Sequence, residues 1–330
     1  MKNDLFLEIK QRIDSSIAPG CSLVILSKGN KNIDYSFGTF LGDNSSQITP
    51  DTLYDIASIT KLYTTSIILR LYEQGKIDIY DRCSVYLPIF EKSELTIVDL
   101  LTHRANFGIR LSEYRSKYQT FFKTKIFEII PPVKPSQEAH YENITFLYLG
   151  KIIEQITSKS LKEVFMELFN ELGLKNTALG LKSQTIFNSP PTEIRNNYIV
   201  QNTTHDESAA LMGGMAGNAG VFASAADLAK FGNLWIDDGK IMSKKKLYSI
   251  VFKDYSERGD RSQALGWHQD LFGMSYKNKN IYLHTGYTGC LLAININSSV
   301  ICSFVCNRTY FGRDNIKYRK ILKLLTDYLI

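Results

Sequence analysis

Ser58 and Lys61 stand three residues apart in Ser58-Ile59-Thr60-Lys61, at the head of an apolar run that continues to Glu73 and stops at Gly75. On a helix this spacing puts a hydroxyl and an amine on one face. A serine hydroxyl is a weak nucleophile until a neighbouring base takes its proton. Lysine becomes such a base only when burial lowers its pKa by several units, and the flanking apolar residues can bury it. The first turn of a helix also favours negative charge developing on the serine oxygen. The pattern is cheap on its own, because Ser243-Lys244-Lys245-Lys246 repeats it. There, consecutive lysines read as a solvated surface, with Ser243 as the N-cap of a short helix to Phe252.

Two more sets of residues follow. Tyr141-Glu142-Asn143 lies after Pro131, Pro132 and Pro135 and before a helical run through Leu147, Ile152 and Ile156. In an extended segment Tyr141 and Asn143 share a face. By spacing alone, an Asn143 helix cap beside a core aromatic is the simpler reading. Tyr276-Lys277-Asn278 has the same pattern, but in a polar stretch that reads as a turn. His284-Thr285-Gly286 follows the strand-like Ile281-Tyr282-Leu283 and runs into Tyr287. A glycine there would let a substrate backbone lie against the strand edge.

In that order the three motifs resemble the serine β-lactamase and penicillin-binding protein superfamily, for which S-x-x-K is a catalytic signature. The tyrosine form of the middle motif is similar to class C β-lactamases and their D,D-peptidase, D-aminopeptidase and family VIII esterase relatives. Leu100–His103, Gly173–Thr177 and Gly220–Phe231 look like framework segments of the same family. The resemblance implies an α/β (α+β) chain of β-lactamase/transpeptidase-like fold. It makes Ser58 the nucleophile, with Lys61 and Tyr141 moving the proton. Asn143, His284, Thr285 and Gly286 would orient substrate, and the backbone N–H groups of Ser58 and Tyr287 would hold the oxyanion. Asn307-Arg308 resembles a segment bordering the family's cleft and reads equally well as a surface strand end. No metal or cofactor is implied.

Position 284 departs from the best-known enzymes, which carry lysine. An unperturbed histidine is only roughly a quarter protonated at pH 7. A full charge about 4 Å from a carboxylate is worth around 4 kcal/mol at an effective dielectric of about 20, and a neutral imidazole gives up much of it. The substitution therefore points toward esters, amides or D-amino-acid derivatives that lack the family's usual anion. Thr204-His205-Asp206-Glu207 resembles a loop of the family's hydrolase branch; without a second ligand at metal spacing it reads as structural. His103 reads as a helix cap.

The elements that must position these groups are discontinuous in sequence. Strand-like segments at 21–27 and 33–39 reappear at 264–267, 281–283, 291–297 and 300–306, and helices at 5–17 and 315–330 bracket them. Between lies a mostly helical region, with capping patterns at Ser160–Glu163 and Ser224–Asp227. This predicts an antiparallel-sheet domain of residues 1–56 plus 258–330 flanked by terminal helices, an inserted helical domain of 57–257, and a site at their interface.

The 330 residues, 44% hydrophobic and 22% charged, suit a globular enzyme. No run reaches the roughly eighteen apolar residues of a membrane span. The first residues show no export signal, and five cysteines read as reduced core positions, so a cytoplasmic protein is expected. The net charge of +6 is scattered, without the aromatic-lined groove of a nucleic-acid binder. The expected function is an acyl-enzyme serine hydrolase acting on a small ester or amide. A true β-lactamase or D-alanyl-D-alanine carboxypeptidase is the first alternative, and a slowly acylated penicillin-binding sensor the second.

Overall fold

Strand-forming residues from the two ends of the chain meet in one five-stranded antiparallel sheet. The computed structural model describes residues 2–14, 17–41, 46–180, 188–237, 241–256 and 263–330. The strands lie in the order Ile281–Thr285, Leu291–Asn295, Val300–Cys306, Gly20–Ser27, Asn30–Gly38. The register between the first and last long strands runs from Cys21 opposite Cys306 to Ser27 opposite Val300.

Alternation along these strands feeds two cores, one on each face. On the outer face Leu23, Ile25, Cys302 and Phe304 meet the helices Lys2–Asp14 and Tyr318–Asp327 through Leu5, Ile9, Ile321 and Leu325. On the inner face Val24, Leu292, Ile294, Ile301 and Val305 belong to the main core, which the helix Ala225–Leu234 joins. Gly232 permits that close approach, since a Cβ there would lie 2.8 Å from both Ile301 and Leu292 side chains. The terminal helices and mixed α/β sheet architecture agree with the fold expected from the sequence. The boundary expected at 257/258 falls outside the described residues.

The segment 264–267 is a turn and not a strand. Gly266 adopts φ +73°, and a Cβ there would sit 2.4 Å from Thr65 Oγ1, so the chain bends where it presses on the nucleophile's helix. That helix, Thr60–Glu73, buries Thr60 through Leu69 and Leu71. An element buried nearly all round is a pillar of the core, which explains its unbroken apolar run. The next major helix is Asn143–Thr157, and Ser160–Glu163 forms the expected capping box at the start of Leu161–Leu172. At Ser224 the hydroxyl accepts from Asp227 N–H, but the Asp227 carboxylate turns to Asn176 N–H and Thr177 Oγ1. No helix among the described residues is long and apolar enough to cross a membrane. All five cysteines are buried and outside disulfides.

Gly217 is the tightest contact between the helix Asn143–Thr157 and the loop that reaches Lys61. A Cβ there would lie 2.1 Å from the Phe146 carbonyl oxygen. We expect Gly217→Ala to cost about 3 kcal/mol through overpacking, read as a lowered urea midpoint at unchanged slope.

Candidate active site

The nucleophile sits in a short 3₁₀ turn, Ala57–Ile59, just ahead of the helix. Ala57 holds φ +46°, a left-handed conformation that costs a non-glycine residue about 1–3 kcal/mol. The buried Asp55 carboxylate secures it by accepting the Ala57 N–H at 2.8 Å. The other Asp55 oxygen accepts His205 N–H at 2.7 Å, and the Asp55 backbone carbonyl accepts Thr288 Oγ1 at 2.7 Å. One residue thereby joins the nucleophile turn, the 204–207 loop and the strand turn after His284. Burial raises the Asp55 pKa, while those backbone donors oppose the shift.

Lys61 is wholly buried. Its Nζ lies 3.0 Å from Ser58 Oγ, 2.8 Å from Asn143 Oδ1 and 3.4 Å from the Asn218 carbonyl. Burial lowers its pKa to about 7, against a smaller opposing pull from Asp206. Three acceptors match the three protons of an ammonium. The neutral amine keeps two protons for the Asn143 and Asn218 oxygens, which can only accept. Its lone pair is then left facing the one partner able to donate, the Ser58 hydroxyl. Lowered pKa and orientation together make Lys61 a base for Ser58.

Tyr141 projects from the loop before Asn143, with 42% of its surface exposed. Its ring centroid is 4.8 Å from Lys61 Nζ, and its hydroxyl is close enough to Ser58 to feel its polarity. Burial of that hydroxyl pushes its pKa up, so it is a phenol and not a phenolate at neutral pH. Asn143 occupies the first helical position and makes no cap; the cap reading fails because its carbonyl oxygen is committed to Lys61.

His284 is buried on its strand, and its Nδ1 lies 3.0 Å from the Thr285 carbonyl. A carbonyl can only accept, so Nδ1 carries the proton and the partnerless Nε2 presents a lone pair. Burial, then His268, then Lys61, hold its pKa well below the ordinary value, so it is neutral. Its ring centroid is 6.3 Å from that of Tyr141, whose ring lines the Ser58 cleft. Thr285 is half-buried at the strand end. Gly286 faces the protein itself: a Cβ there would lie 2.4 Å from the Ile56 carbonyl oxygen, so the close backbone approach it allows is that of the nucleophile segment. Tyr287 lines the cleft and is half exposed. Asn307 is buried, with its Nδ2 donating to the Pro191 carbonyl.

His103 does not cap its own helix. At φ +58° its Nδ1 accepts the Glu142 N–H at 3.3 Å, and its ring packs 4.6 Å from Tyr141. The lookalikes behave as expected: Lys277–Lys279 is a 3₁₀ turn, and Lys245 and Lys246 are exposed.

The structure adds residues that motif spacing does not single out. His268 stands 4.9 Å from His284 and 5.8 Å from Tyr141 between ring centroids. No group of three or more His, Cys, Asp or Glu among the described residues is placed to hold a metal ion. The 204–207 loop, read as structural, forms one wall of the cleft of about 360 Å³ that holds Ser58, Tyr141, Asn143, Asp206 and Tyr287. Across its mouth Arg115 pairs with Glu207 at 2.6 Å, and Arg313 with Glu207 at 2.7 Å and Glu193 at 2.9 Å.

The chain belongs to the beta-lactamase family, whose model matches residues 8–326, and it is a serine hydrolase of that family. It is 28% identical over 346 aligned positions to the N-acetylmuramyl-L-alanine amidase of Bacillus subtilis (strain 168), covering 87% of this chain and 77% of that protein. Its fold is similar to D-alanine carboxypeptidase AmpC from Burkholderia cenocepacia, with TM-score 0.74 at 17% identity over 99% of each chain. It is also similar to EstCE1, a hydrolase with promiscuous acyltransferase activity, with TM-score 0.74 at 15% identity over 96% of this chain and 97% of that one.

A buried amine has a consequence for stability as well as chemistry. The unfolded chain binds the Lys61 proton more tightly than the folded chain does, so the penalty is full below about pH 7 and is relieved as pH rises toward about 10.5. Three to four pKa units correspond to on the order of 5 kcal/mol. Relative to Lys61→Met, the wild-type protein should gain stability between pH 7 and pH 10, measured as a converging pair of urea midpoints. Parallel midpoints would show that Lys61 is not held near neutrality.

Proposed function

We propose that this protein hydrolyses small esters or amides through an acyl-enzyme on Ser58. The observation that carries the reading is the 3.0 Å contact between Ser58 Oγ and a wholly buried Lys61 Nζ. Lys61 takes the hydroxyl proton as Ser58 Oγ attacks the carbonyl, and the electron pair of the carbonyl moves onto oxygen. The backbone N–H groups of Ser58 and Tyr287, both on the cleft wall, stabilise that oxyanion. Collapse expels the leaving group, which takes a proton through the neutral Tyr141 phenol, resupplied from Lys61. Water then attacks the acyl-enzyme by the same proton route in reverse, releasing the acid and restoring Ser58. Neutral His284 supports this choice of substrate, because it supplies no positive charge for a carboxylate beside the scissile bond.

Ser58→Ala should lower kcat/KM for a p-nitrophenyl ester by at least about a thousandfold, as removal of a nucleophile does in other serine hydrolases. Unchanged hydrolysis would remove Ser58 from the reaction. Because only the neutral amine can accept the proton, kcat/KM should rise with pH to a plateau, with a midpoint near the Lys61 pKa of about 7.

His284→Lys would place a second cation close to Lys61. We expect it to move the rising limb to lower pH and to improve carboxylate-bearing substrates relative to neutral ones by roughly tenfold or more. An unchanged ranking of substrates would dismiss charge at position 284 as a selector.

A further inference from the structure

Asp206 stands on the cleft wall with its two carboxylate oxygens in different employment. Oδ1 accepts the Ala209 N–H at 2.8 Å and caps the helix Glu207–Leu211. Oδ2 has only the Asn143 Nδ2 donor, at the long distance of 3.5 Å. No lysine or arginine among the described residues makes an ion pair with it, although four charged groups stand nearby. Arg115 is engaged with Glu207 and Ser208, and Arg313 with Glu193 and Glu207. Glu207 is consumed by the same two arginines and by Arg195 at 3.8 Å. Lys61 is turned toward Ser58, Asn143 and the Asn218 carbonyl. Oδ2 therefore has no cation bonded directly to it, because Arg115, Arg313 and Lys61 each bond elsewhere.

Asp206 shares the cleft wall with the nucleophile. Asn143 bridges the two, its carbonyl oxygen on Lys61 Nζ and its amide nitrogen toward Asp206 Oδ2, and Lys61 touches Ser58. Ser58 and Asp206 thus face one cleft, into which the acyl portion of a substrate attacked by Ser58 extends. A half-open carboxylate with spare lone pairs is complementary to an ammonium, and complementarity of this kind selects among ligands.

We propose that Asp206 is a specificity-determining residue that binds a protonated amine carried on the acyl portion of the substrate, so that aminoacyl esters and amides are preferred over their uncharged counterparts. This rests on the hydrolase reading for the reaction itself, and it names the substrate class. The selecting charge is then an anion on the protein and not a cation.

The test compares p-nitroanilides of alanine (each enantiomer), of β-alanine and of propionate, which share a leaving group and differ in the amine. Asp206→Asn keeps a good N-cap while removing the charge. Loss of that charge also shifts Lys61, but this acts on every substrate and cancels in the ratio of amino to propionyl kcat/KM. We expect that ratio to fall at least tenfold for alanine or β-alanine, equivalent to about 1.4 kcal/mol. In the wild type the alanine preference should fade as pH rises past its α-amine's pKa of about 8, and the β-alanine preference at higher pH.

An unchanged ratio, or a preference indifferent to pH, overturns the proposal. Binding separates this outcome from failure of the hydrolase reading. In Ser58→Ala protein, which cannot be acylated there, alaninamide should bind at least tenfold more tightly than propionamide by calorimetry, and Asp206→Asn should abolish the difference. Equal binding of the two amides to the Ser58→Ala protein would overturn the subsite whatever the catalytic result.

Discussion

Everything in the site follows from keeping one amine out of water. Lys61 is a poor residue for a protein core, and its burial works against folding by several kcal/mol at neutral pH. The surroundings tolerate it because two oxygens that can only accept, from Asn143 and Asn218, hold its protons in place. The same two oxygens decide where the lone pair points. Charge, orientation and reactivity of Ser58 are thus one arrangement, and the helix Thr60–Glu73 needs its unbroken apolar surface to seal it.

Around that arrangement the protein joins segments distant in sequence through a few buried acceptors. Asp55 ties the strained Ala57 to the 204–207 loop and to Thr288. Gly217 and Gly286 let backbone meet backbone where any side chain would collide. The strain at Ala57 persists because the surrounding contacts over-determine it, and it presents Ser58 at the mouth of a cleft and not within the helix wall.

Much of this was legible in the residues. An unbroken apolar run marked the nucleophile helix, and strand-like composition marked the strands at both ends of the chain. Ser58, Lys61 and Tyr141 come together as their order implied. What escaped was set by tertiary contact. The segment 264–267 has strand-like composition, yet Gly266 bends it against Thr65. Asn143 has the chemistry of an N-cap, but Lys61 competes successfully for its carbonyl. The 204–207 loop looked structural because nothing in its spacing reveals that it faces Ser58 from across the cleft. His284 and Asn307 both carry motif signals, and both are turned into the interior by the packing of their strands.

The pairing of Gly20–Ser27 with Val300–Cys306 has a consequence for how the protein is made. The early strand can zip to Asn30–Gly38 at once, but its other edge finds its partner only after some tens of seconds of synthesis at roughly 5–20 residues per second. During that interval an apolar edge rich in Val, Ile and Leu stands open, the kind that recruits other chains. The sheet's centre is the last part of it to be completed. A cell producing this protein must therefore shelter its beginning until its end has arrived.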